Sequence, residues 1–133
     1  MSERVHEMRV VVTAEDYDEA LRFYRDVLGL HEHAEFVSGG GGRVTILDAG
    51  RATLELADPL QAEYIDEVEV GRRVAGHVRI AFKVDDSTAL TAELGAAGAK
   101  VLAEPTRTPW ASLNARLEAP AGLQLTLFSD LAG

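Results

Sequence analysis

The chain has 133 residues, 47% hydrophobic and 26% charged, with 22 acidic against 13 basic side chains for a formal charge of −9. That is enough chain to bury one core, too apolar for wholesale disorder, and without the roughly 20 consecutive apolar residues that span a bilayer. The negative sign opposes phosphate backbones and anionic membranes, so neither nucleic acid nor membrane is an expected partner; a cationic ligand would be attracted, although the same charge serves solubility. With no cysteine, disulfides, thiolate metal sites and cysteine nucleophiles are excluded. The opening M-S-E-R-V-H-E lacks the apolar stretch of a signal peptide, so the expected compartment is the cytoplasm.

The first predicted strand, 7–12, sets Met8, Val10 and Val12 on one face and Glu7, Arg9 and Val11 on the other. A helix is expected over 16–30. Tyr17, Ala20, Leu21, Tyr24, Val27 and Leu28 form its apolar stripe, Thr13 or Asp16 its cap and Gly29 its stop. Strands follow at 31–37, 43–48 and 52–57. The first two are joined by Ser38 and four glycines, which read as a floppy hairpin connection and lack the Gly-Lys-Ser/Thr of a phosphate loop. Pro59 breaks the pattern, and 59–75 reads as an acidic connector with one helical turn near 61–65. The order of elements then returns: a strand over 77–84, a helix over 87–97 with Leu90, Leu94 and Ala97 inward, and strands near 100–103, 111–118 and 123–128. The chain therefore reads β-α-β-β-β twice, over about 5–58 and 76–130, a repeat of pattern and not of residues. The predicted class is α+β: two modules, each a mixed sheet with one helix on its apolar face, whose uncovered faces share a cleft.

Several runs carry a family signature: E-A-L-R-F-Y-R-D-V-L-G-L, T-L-E-L, R-I-A-F-K-V-D-D, A-A-G-A-K-V and P-W-A-S…L-E-A-P-A-G-L-Q-L-T-L-F. In this order they resemble the vicinal oxygen chelate superfamily of glyoxalases, bleomycin-resistance proteins and extradiol dioxygenases. The resemblance implies a curved mixed sheet of paired βαβββ modules with a cleft, and often a homodimer. It also implies four inward positions that hold a divalent ion in metal-dependent members. Here they fall on Glu7 (or on Arg9, if the following loop is not lengthened), Glu55, Arg79 and Thr126. A guanidinium and a hydroxyl are poor metal ligands. The expectation is therefore a cleft without cofactor, with Arg79 standing where the ion would be and tying Glu7 to Glu55. The alternative is a shifted divalent site of Glu7, Glu55 and His77, since His77 shares the strand face of Arg79.

Other residues give less. His31 and His33 share a face but have no third ligand nearby in sequence. Trp110 reads equally as a core aromatic or a flat wall for a ligand. Tyr64, Arg72 and Arg73 in the connector would edge the cleft or a subunit contact. No serine sits in a nucleophile elbow, which leaves Glu55 as the candidate general base beside a bound carbonyl. The function expected is binding of a small, cationic or planar molecule without a metal. The competing expectation is a metal-dependent lyase, isomerase or dioxygenase.

Overall fold

The computed structural model describes residues 4–131. Eight strands and three helices follow in the order β1 (Val5–Thr13), α1 (Tyr17–Leu21, continued to Val27), β2 (His31–Val37), β3 (Arg43–Ala49), β4 (Ala52–Ala57), α2 (Pro59–Glu69), β5 (Val78–Val84), α3 (Ser87–Ala96), β6 (Lys100–Arg107), β7 (Ser112–Ala119) and β8 (Leu123–Asp130). All eight strands join one open mixed sheet, ordered β2-β3-β4-β1-β5-β8-β7-β6. In each half the first strand runs parallel to the last, β1 to β4 and β5 to β8. The halves meet where β1 pairs antiparallel with β5, Val10 opposite Ile80 and Arg9 opposite Ala81. Both modules are thus paired within one chain. Among the described residues no helix is long and apolar enough to cross a membrane.

Period-two alternation divides the sheet into two faces. On one, α1 and α3 cover separate apolar clusters: Tyr17 and Leu21 pack on Leu47, Leu56 and Val12, and Leu90 and Leu94 pack on Val84, Leu117 and Leu127. Burying each of these leucines contributes about 1.5–3 kcal/mol. Asp16 caps α1 by accepting from the Glu19 N–H at 3.0 Å, and Asp86 caps α3 by accepting from Ala89 at 3.0 Å. Gly95, a weak residue inside α3, lies where a Cβ would come within 3.2 Å of Val101.

The first helix departs from its predicted stripe. From Arg22 to Val27 it is π-helical, with Leu28 N–H donating five residues back to Phe23 at 2.8 Å. The wide turn changes the phase of the side chains. Leu30 joins Tyr17, Ala20, Leu21 and Tyr24 against the core, while Val27 and Leu28 turn to solvent.

The connector departs further. What reads as a connector with one helical turn is an eleven-residue helix, α2, lying on the opposite face of the sheet from α1 and α3, against Glu55, Arg79 and Arg116. Asp58 caps it, accepting from Gln61 N–H at 2.8 Å and from Arg43 N–H at 3.1 Å, and Pro59 occupies its first turn, where the missing N–H costs nothing. The glycine run has a structural member too. A Cβ on Gly42 would lie 2.5 Å from the Gln61 nitrogen, whereas Gly39 and Gly40 face open space. Gly42→Ala is therefore expected to lose about 1–3 kcal/mol in urea unfolding, the usual cost of forcing atoms into packed space, and alanine at 39 or 40 to lose almost nothing. Equal effects at all three positions would remove the contact between the hairpin and α2.

Candidate functional site

The face that α2 crosses carries the inward side chains of the central strands. Arg116 alternates with Leu117 of the core, so it points to this face, and it is fully buried. All three guanidinium nitrogens are used. Nη1 donates to Asp66 Oδ1 and Gln124 Oε1, each at 2.7 Å; Nη2 donates to Glu69 Oε1 at 2.9 Å; Nε donates to Thr126 Oγ1 at 3.1 Å and Glu69 Oε1 at 3.2 Å. Asp66 and Glu69 are three residues apart on α2 and so share one helix face. Glu69 also accepts from Asn114 Nδ2 at 2.9 Å. The second Asp66 oxygen accepts from Arg73 Nη1 at 2.7 Å and from the N–H groups of Val74 and Ala75, each at 2.8 Å. Burial alone would raise the Asp66 pKa, yet these donors hold it below the ordinary carboxylate value.

Beside this network lie the residues singled out from the sequence. Glu7, Arg9, Glu55, Arg79 and Thr126 do share the face, but they pair differently from the expectation. Arg79 does not tie Glu7 to Glu55. Its Nη1 donates to Thr126 Oγ1 at 2.7 Å, and among the described residues it makes no ion pair within 4.0 Å. Arg9 instead stands between the carboxylates, 2.5 Å from Glu7 and 3.9 Å from Glu55, with its guanidinium 4.9 Å from the centre of the Phe128 ring. The β1 residue in register with both Glu55 and Arg79 is Val11, which packs with Ala81 and Phe128.

Glu55 and Arg79 face a cavity of about 10 Å³, bounded by Gln61, Ala62, Ile65 and Asp66 of α2 and by Ala75 and Gly76. That is room for about one water. Burial pushes the Glu55 carboxyl above its ordinary value, and Arg79 and Arg9 offset this only in part. Burial likewise lowers Arg79. His77 lies outside this cavity, on an open groove at its mouth. Trp110 lines neither space; it packs against Tyr64 of α2 at a ring separation of 6.3 Å. His33 meets Asp48 at 3.4 Å on the exposed edge strand. Arg116, Asn114, Asp66 and Glu69 escaped sequence reasoning, although Asp58-Pro59 is a helix start and Asp66 and Glu69 have helical spacing.

Residues 8–127 match the sequence profile described as Glyoxalase/Bleomycin resistance protein/Dioxygenase superfamily. The chain belongs to this superfamily. Solved structures agree in fold. A Bacillus halodurans C-125 protein superposes with a TM-score of 0.68 at 19% identity, over 100% of this chain and 98% of its own. A Streptomyces coelicolor methylmalonyl-CoA epimerase variant in complex with 2-nitronate-propionyl-CoA gives 0.66 at 24%, over 99% and 100%. A methylmalonyl-CoA epimerase in complex with methylmalonyl-CoA and NH4+ gives 0.63 at 25%, over 97% and 95%. No curated protein matches the chain.

The superfamily positions do not fit a divalent ion here. Of the four, Arg79 is a cation, the Thr126 hydroxyl accepts from two guanidiniums, and Glu7 is held by Arg9; only Glu55 remains as a donor, and one carboxylate is too few. Among the described residues no three His, Asp or Glu side chains gather closely enough to share an ion, so Glu7, Glu55 and His77 form no set.

The two buried arginines differ in what their removal exposes. Arg116→Met strands two buried carboxylates and is expected to cost about 3–5 kcal/mol in equilibrium unfolding. Arg79→Met removes a buried cation with one hydrogen bond and is expected to change stability by under about 1.5 kcal/mol; the reverse ranking would mean that Arg79 is the central tie. A raised folded-state pKa gives Glu55 a defined sign. Its contribution is most favourable below the ordinary glutamate value of 4.5 and is lost as pH rises through the folded value. Glu55→Gln, which mimics the protonated acid, should melt with the parent at pH 4 and progressively above it towards pH 8. Parallel melting curves across that range would show Glu55 to be unperturbed.

Proposed function

We propose that this chain is a metal-free, small-molecule-binding member of its superfamily, with the polar head of the ligand between Glu55 and Arg79. The observation that carries this reading is the buried Arg79 guanidinium, bonded to Thr126 and otherwise open towards the cavity that Glu55 also lines. A fixed cation with unused donors takes a ligand oxygen; a neighbouring carboxyl, protonated or not, takes or gives one hydrogen bond.

The expected preference for cations finds no support in the cleft. Four guanidiniums (Arg9, Arg73, Arg79, Arg116) face four carboxyls (Glu7, Glu55, Asp66, Glu69), so the −9 formal charge resides elsewhere on the molecule. A neutral or anionic head bearing a carbonyl or carboxyl oxygen suits Arg79 better.

A catalytic reading draws on one further observation, the raised pKa and lack of a hydrogen-bond partner at Glu55 among the described residues. The cavity would have to widen to admit both a carbonyl oxygen and the carbon next to it; ionised Glu55 would then take a proton from that carbon, the C–H pair would move into the enolate, whose oxygen Arg79 would hold, and the proton would return to carbon. The methylmalonyl-CoA epimerase neighbours make such a substrate worth testing.

Metal analysis of protein purified without chelator, with melting scans plus and minus Zn2+, Ni2+ and Mn2+, tests the first reading. Less than about 0.1 ion per chain and no shift are expected. Acetate and acetamide should perturb NMR signals of Glu55 and Arg79, and Arg79→Ala should abolish the response. One tightly held ion per chain, or fragments that ignore both residues, would overturn it.

A further inference from the structure

The inner cavity admits about one water, so a ligand whose head reaches Glu55 and Arg79 must carry its remaining atoms elsewhere. An open groove of about 650 Å³ adjoins the cavity, lined by Thr13, Ala14, Glu15, Arg73, Ala75, Gly76 and His77. Thr13, Ala75 and Gly76 line both spaces, so the groove is the mouth of the cavity.

The mouth has a chemistry of its own. Arg73 is fixed before any ligand arrives, because Nη1 donates to Asp66 Oδ2 and to the Ala75 carbonyl, both at 2.7 Å. Among the described residues its Nε and Nη2 have no hydrogen-bond partner, nor do the ring nitrogens of His77. The side chain is 43% exposed, so the free donors are accessible. Asp66 is already saturated by Arg116, Arg73 and two backbone N–H groups and does not compete for a ligand's protons. Glu15 is the acid lining the groove, two residues past Thr13, the last residue of β1, and on a different segment from Arg73. A held guanidinium with two unused donor nitrogens, in one groove with an imidazole, recognises the oxygens of a carboxylate or phosphate.

We propose that this groove is a second binding subsite, which takes the anionic end, carboxylate or phosphate, of an elongated ligand whose head lies between Glu55 and Arg79. The proposal rests on the reading of the inner site given above, and the two fail in different ways.

The test uses the full isotope-labelled chain with acetate as a head probe, methylphosphonate as a mouth probe, and phosphonocarboxylates that join the two groups through two to six methylenes. Methylphosphonate is expected to shift the Arg73 Nε–H and His77 ring signals. One linker length should bind at least tenfold more tightly than either single-ended probe, as linkage at a matched span requires. Arg73→Ala should return that probe to the affinity of acetate. His77→Ala, which leaves the Asp66 bonds intact, should weaken it severalfold, and Glu15→Gln should tighten it about two- to fivefold. If acetate shifts Glu55 and Arg79 but no linked probe gains affinity, or if neither Arg73→Ala nor His77→Ala weakens the best one, the subsite is overturned and the inner-site reading stands. If acetate leaves Glu55 and Arg79 unmoved, the inner-site reading falls and the proposal with it.

Discussion

The buried ion cluster of Arg116 with Asp66 and Glu69 fixes what this cleft is. A sheet of alternating strands with helices on one face leaves its other face open, and nothing in the βαβββ pattern demands a cover there. Here α2 lies across that face, and its attachment is ionic: one guanidinium at 0% exposure receives two carboxylates from one side of the helix. Desolvating three charges is costly unless every donor and acceptor is matched. They are matched, through Gln124, Thr126, Asn114 and the backbone of 74–75. A network this complete has one geometry, and so α2 has one position. The cavity walls from Gln61 to Asp66 and the mouth at Ala75–Gly76 follow from it.

The same network accounts for the state of the residues at the superfamily's metal positions. Thr126 accepts from both Arg79 and Arg116 and approaches Glu69 at 3.4 Å. Its hydroxyl therefore couples the helix clamp to the cavity. Arg9, rather than Arg79, pairs with Glu7 and approaches Glu55, so that among the described residues Arg79 keeps unused donors, while burial raises the Glu55 pKa against the pull of Arg79 and Arg9. Two buried side chains held apart from full pairing, in a space of one water, underlie the proposed binding of a ligand group. Buried polar groups that need a partner are where binding specificity is built, because an analogue lacking the matching atom leaves them unpaired.

Much of this was legible from residues alone. The sheet faces followed from alternation, the start of the first helix from its candidate caps Thr13 and Asp16, and Glu55, Arg79 and Thr126 were brought together by the superfamily resemblance. Three things were not. The phase of α1 beyond Tyr24 depends on a π-helical turn, which the 3.6-residue period cannot anticipate. The connector helix was hidden by its acidity: Asp66 and Glu69 sit on its buried side, so the apolar stripe that marks a helix is interrupted by charge. Its start at Asp58-Pro59 was the available signal. Arg116 was hidden for the matching reason, since an arginine in an alternating strand reads as solvent-facing unless an acidic partner is known to lie above it.

The two modules share their topology and divide the labour of the cleft unequally. The helix covers of α1 and α3 are apolar in both halves, so either sheet is stabilised in the same way. On the cleft side, β7 and β8 supply Asn114, Arg116, Gln124 and Thr126 to the network that holds α2, while β1 and β4 supply Glu7, Arg9 and Glu55, of which Arg9 reaches across to the Phe128 ring of β8. The second half thus anchors the C-terminal part of α2, and the first carries the Glu7 and Glu55 carboxylates on the same face. Arg79 stands at the boundary, on the strand where the halves pair, bonded to the structural side through Thr126 and open to the chemical side.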